Sequence, residues 1–83
     1  MNRHVSLRAM KVNEVGYITS IHATGELGKR IREMGLVPGT RFKVMGHAPL
    51  KDPVALRLKG FTMTLRNNEA DWIDVEREEK GHE

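Results

Sequence analysis

Apolar positions fall into three spacings along this chain, and each predicts a different element. In residues 1–11, MNRHVSLRAMK, they are isolated among polar side chains. No period emerges there, and the segment is expected to lie loosely on the fold. From Val15 the stretch VGYITSIHA is β-branched and aromatic, which predicts a strand. Its alternation is imperfect, because Ile18 and Ile21 are three apart, so a bulge or burial on both faces is expected.

The period then changes. In TGELGKRIREMG, Leu27, Ile31 and Met34 recur at i, i+4 and i+7, on one face of a short helix. Lys29, Arg30, Arg32 and Glu33 take the other sides. Thr24 is placed to cap the helix, and Glu26 suits the positive end of its dipole. Gly28, within the helix, costs about 1 kcal/mol relative to alanine, which close packing there would explain. Gly35 is the expected stop, since glycine accepts the left-handed conformation that closes a helix. Pro38-Gly39 fits the centre of a type II turn.

Period two returns after the turn. Phe42 and Val44 alternate with Arg41 and Lys43 as a half-buried strand. HAPLKDP is a loop punctuated by Pro49 and Pro53. Val54, Leu56 and Leu58, then Met63 and Leu65, predict a β-hairpin turning at Lys59-Gly60. NNEAD reads as a turn or one helical turn, and WIDVE as a last short strand with Ile73 and Val75 on one side. The order is strand, helix, then four strands, a mainly β chain whose close strand spacing predicts a small barrel with one inserted helix. The expected interior is Ile18, Ile21, Leu27, Ile31, Met34, Leu36, Phe42, Val44, Val54, Leu56, Leu58, Met63, Leu65, Ile73 and Val75. A length of 83 residues predicts a single domain, 1–83, with a structured core of about 12–76.

Composition narrows the function classes. Without cysteine, disulfides and thiolate metal sites are excluded, which fits a reducing compartment. No signal-like run opens the chain, and no stretch nears the roughly 20 apolar residues of a membrane span, so a cytoplasmic location is expected. The net charge of +3 is mild, and the signs are interleaved. A small basic barrel binding nucleic acid is the alternative reading. One Trp, one Tyr and two Phe supply a base-stacking platform poorly, so no nucleic-acid partner is expected.

Catalytic patterns are missing. There is no phosphate-cradling glycine motif and no nucleophile elbow, and Asp71 and Asp74 read as surface charge. His4, His22, His47 and His82 are scattered without chelate spacing. His22 and His47 sit at strand ends, where they could approach one another and take up adventitious metal. No cofactor, dedicated metal site or catalytic residue is expected, and the chain reads as a non-enzyme.

Three segments together resemble the ferrous iron transport protein A (FeoA) family. In LGKRIREMGLVPGTRFKV the matching positions are Leu27, Arg30-Ile31, Met34-Gly35-Leu36 and Pro38-Gly39-Thr40. APLKDPVALRLKG carries an Ala-Pro-Leu-x-Asp-Pro loop in Ala48, Pro49, Leu50, Asp52 and Pro53. MTLRNNEADWIDV carries a Leu-Arg-x-x-Glu-Ala ending in Leu65, Arg66, Glu69 and Ala70, followed by Ile73 and Val75. The likeness runs from about Val15 to Val75. It departs at Ile31, where leucine is commoner, and at Trp72, a large residue placed to lie on the surface as a contact.

The resemblance implies an SH3-like β-barrel with an inserted helix, similar to a domain of iron-dependent repressors. It also implies a cytoplasmic accessory role beside the ferrous iron permease FeoB, peripheral to the membrane through that partner. For the joint REMGLVPGT two readings stay open. In the first, its glycines and proline serve only to reverse the backbone, with Met34 and Leu36 plugging the barrel end. Alternatively, helix and loop flank a shallow apolar groove for the permease. The second reading offers Arg30, Met34, Leu36, Pro49, Leu50, Asp52 and Pro53 as partner-binding residues. Docking surface, direction of regulation and homo-oligomerisation are left open by the sequence.

Overall fold

The computed structural model describes residues 4–47 and 53–78. The APLKD part of the expected loop, with Pro49, Leu50 and Asp52, lies outside the described residues. Among the described residues there are six strands: β1 (His4–Ser6), β2 (Val15–Ile21), β3 (Arg41–His47), β4 (Val54–Leu58), β5 (Phe61–Leu65) and β6 (Ile73–Arg77). Helix α1 (Gly25–Glu33) joins β2 to β3, and the one-turn helix α2 (Asn67–Ala70) joins β5 to β6.

All pairings are antiparallel, in the order β1-β6-β2-β3-β4-β5. Among the described residues no pairing joins β1 to β5, so the sheet is an open row where a closed barrel was expected. Alternation tells which face of each strand is buried. It does not tell whether the first and last strands meet.

The expected interior is largely observed. Ile18, Ile31, Leu36, Phe42, Val44, Val54, Leu56, Leu58, Leu65, Ile73 and Val75 are buried in one cluster, with Ile21, Leu27, Met34 and Met63 half-buried against it. The N-terminal segment corrects the expected core of 12–76. Val5 pairs with Val75 across β1 and β6. Leu7 and Met10 are buried in the core, and a 3-10 turn over Leu7–Ala9 carries them there. Arg8 Nη1 then donates to both carboxylate oxygens of Asp71, at 3.0 and 3.2 Å, fastening this turn beside α2. Apolar residues at 5, 7 and 10 follow neither a strand nor a helix period, so the pattern hides their burial.

The irregular spacing in β2 is a bulge. The register shifts between Ile18 and Ser20, so Ile18 faces Val75 and Ile21 still faces Ile73. A second shift, between Val44 and Gly46, leaves Met45 as the extra residue of β3, exposed to solvent. In α1, Thr24 holds the cap position but makes no side-chain capping bond. Gly28 is buried where a Cβ would lie 2.4 Å from the Ala23 carbonyl oxygen. Close packing therefore accounts for this helical glycine.

Candidate functional site

The joint between α1 and β3 is built almost wholly from backbone hydrogen bonds. At the end of α1, Leu36 N–H donates to Ile31 C=O at 3.4 Å and Gly35 N–H to Arg32 C=O at 2.9 Å. This is a Schellman closure, and Gly35 supplies its left-handed residue with φ +96°. The apolar pair that accompanies such a closure is Ile31 and Leu36, both fully buried. The next turn follows at once. Thr40 N–H donates to Val37 C=O at 3.0 Å, and Gly39 has φ +95°, as a type II turn requires.

Side chain and sheet then fix the joint. The Thr40 hydroxyl accepts from Val37 N–H at 3.2 Å and donates to Gly35 C=O at 3.3 Å. Gly39 N–H donates to Ile18 C=O at 2.7 Å, and Ile18 N–H to Thr40 C=O at 2.9 Å, which anchors the turn to β2. The backbone-reversal reading thus has a full physical account. What the joint leaves outside is apolar. Val37 is 42% exposed and Phe61 46%. Phe61 follows the two-residue turn Lys59-Gly60 and reaches the joint, since a Cβ at Gly35 would meet its ring at 3.9 Å.

The residues offered as partner contacts divide. Arg30 is exposed, with Nη2 3.5 Å from the carboxylate of buried Glu69. That carboxylate also accepts from Arg66 N–H at 2.9 Å, so Arg30 ties α1 to the start of α2. Met34 is half-buried, and Pro53 is half-buried at the entry to β4. Leu36 is corrected: at 0% exposure it offers no surface to a partner, because the Schellman closure turns it into the core. Pro49, Leu50 and Asp52 lie outside the described residues. Trp72 is exposed, as expected. Sequence reading missed Phe61, whose only signal was an aromatic residue directly after a hairpin glycine. It also missed Glu69 as a buried anchor, although Arg66 and Glu69 have the three-residue spacing of a capping box.

The side chain of His47 lies outside what the structure describes, and that of His22 is exposed. Its Nε2 bonds to Asp74 Oδ2, and Ser20 Oγ donates to the same oxygen at 3.0 Å. Ser20 Oγ also lies 3.5 Å from His22 Nε2, so the three side chains form one small polar cluster. Among the described residues no group of three or more His, Asp or Glu is placed to hold a metal ion.

The family model described as FeoA domain matches residues 5–77, which takes in the whole described sheet except His4 of β1. The chain belongs to the FeoA domain family. The FeoA match begins at Val5, within the N-terminal strand that periodicity left out. A relative from Porphyromonas gingivalis, an Fe(2+) transport protein A/Fe(2+) transporter FeoB fusion protein, is 36% identical over 70 residues. Those residues are 84% of this chain and 8% of the fusion protein's length. The NMR structure of a FeoA-like protein from Clostridium acetobutylicum is 32% identical with a TM-score of 0.86, covering 100% of this chain and 96% of that one. A manganese-dependent transcriptional repressor gives a TM-score of 0.82 at 17% identity, over 93% of this chain and 43% of its own, a likeness of fold alone.

Proposed function

We propose that this FeoA-family chain is a cytoplasmic accessory of ferrous iron uptake that binds a FeoB-type permease and assembles or modulates it. The observation that carries this reading is the fusion relative, in which a region 36% identical to this chain is joined to a FeoB transporter in one polypeptide. Fusion holds two parts at high effective concentration, and that serves parts that work in contact. No helix among the described residues is long and apolar enough to cross a membrane, so a place at the membrane would come through the partner. We read the open row of strands around one core as SH3-like in fold.

The docking face we assign is the joint with Val37 and Phe61, and we keep Leu50 as the further partner contact that the sequence offers. A surface already held by backbone bonds loses little entropy on binding, and exposed apolar side chains on it gain by leaving water. The test is ferrous iron uptake in cells that depend on this chain. Phe61→Glu and Leu50→Glu are each expected to cut uptake several-fold while the purified variants melt as the parent does. Uptake at the parental rate by both folded variants would remove this face from the interface.

A further inference from the structure

A second surface of the molecule carries a different chemistry. The last register pair between β3 and β4 is Lys43 with Arg57, although β3 begins two residues earlier and β4 continues to Leu58. Beyond that rung the strands separate, and a cleft of about 550 Å³ opens between them. Buried Phe42 and Leu58 form its floor with Val15, and Arg41, Lys43, Arg57 and Lys59 line it; among the described residues no carboxylate does.

The arrangement is electrostatically unfavourable on its own. Lys43 and Arg57 are direct cross-strand partners, and like charges directly opposite destabilise a sheet. The next residues across the row, Val15 and Thr62, are uncharged; the Thr62 hydroxyl accepts from Arg57 Nη1 at 3.5 Å and brings no counter-charge. Among the described residues only Arg41 of the four has an acid: Glu78, just past β6, accepts from its Nε at 2.9 Å. That bond raises the Arg41 pKa. One carboxylate from an extended strand end is therefore already seated at the rim.

We infer that this cleft is a binding site for an acidic, extended segment of another protein, with apolar side chains entering over Phe42 and Leu58 and carboxylates meeting the four flanking cations. An alternating acidic and apolar strand matches both features of the site. Nucleic acid fits less well, because Phe42, the one Phe, Tyr or Trp lining the cleft, is buried and offers no face for stacking. A flat membrane surface would reach the rim cations and leave the apolar floor unused. The inference stands independently of the joint and Phe61.

The test uses the full chain and a fluorescent, end-capped peptide alternating glutamate with leucine, followed by anisotropy and by amide shifts in NMR spectra. Binding is expected to shift amides of β3 and β4 around the cleft, and to weaken several-fold between about 50 and about 200 mM salt. Lys43→Glu separates binding from folding. It replaces a like-charge rung with an opposite-charge one, so it is expected to raise the melting temperature by a few degrees. At the same time it should weaken the peptide by about tenfold or more. The double control Lys11→Glu with Lys29→Glu makes a larger charge change away from the cleft and should move affinity much less. Equal losses in Lys43→Glu and the control would reduce the effect to net charge and overturn the site. So would shifts that map elsewhere, or tighter binding at the cleft by single-stranded DNA or by vesicles containing phosphatidylserine. Phe61→Glu, which tests the permease face, should bind the peptide as the parent does.

Discussion

A methyl group added at Gly28 would lie 2.4 Å from the Ala23 carbonyl oxygen and 2.9 Å from its carbon. Alanine is the better helix former by about 1 kcal/mol. Here backbone atoms stand in the way, and they can yield only if α1 lifts from the core. Gly28→Ala is therefore predicted to destabilise the domain by about 1–3 kcal/mol, read as a lower midpoint in urea. A higher midpoint would show that helix propensity wins and that α1 has room to move. Glu14 makes a prediction of the opposite kind, in pH. Lys11 N–H donates to its carboxylate at 2.7 Å, and Arg77 Nε to the same oxygen at 3.2 Å. The backbone bond first, and Arg77 after it, hold its pKa below the ordinary 4.5. A lowered folded pKa stabilises the fold above the unfolded value and loses that contribution as pH falls through the folded one. Glu14→Gln is thus expected to be less stable near neutrality, with the gap to the parent closing as pH falls below about 4.5. A gap constant into strong acid would contradict the ionic cause. The helical glycine at 28 is visible in the sequence as an anomaly. The Glu14 contacts are not, because Arg77 lies 63 residues away.

At the scale of elements, the α1–β3 joint shows what makes a structure legible. Gly35, Pro38 and Gly39 each demand a particular backbone shape, so the local sequence specifies the closure and the turn without tertiary context. Gly35→Ala is predicted to cost about 1–2 kcal/mol, because φ of +96° burdens any residue with a Cβ. Measured by urea unfolding, a cost near zero would mean the closure relaxes without the left-handed residue. The β4–β5 hairpin is equally legible, since alternation on both sides of Lys59-Gly60 fixes its register. β1 is not. It has three residues, one useful apolar position and a partner some 70 residues on, and its place is decided by the exposed edge of β6. The bulge in β2 is announced by the spacing of Ile18 and Ile21. The one at Met45 is masked by a loop-like composition that begins directly after it.

For the whole molecule, pairings distant in sequence govern the result. β2 lies between β3 and β6, and β6 lies between β2 and β1, an order that no local pattern encodes. The same limit applies to function. The sequence motifs led to the FeoA family, but the surface that could act became visible only when Phe61 was brought over Gly35 and Leu36 was withdrawn into the core. The cleft between β3 and β4 likewise depends on where a ladder ends, which alternation does not say. A fold held by one modest core and a stiff joint is suited to presenting fixed surfaces, one of which we propose meets a permease. The most direct measurement is co-purification of the tagged chain with a FeoB-type permease from detergent-solubilised membranes, with and without GTP. The account predicts that the permease is retained by the parent chain and lost with Phe61→Glu, while both proteins show the same cooperative melt. A folded parent chain that retains no permease under either condition would contradict it.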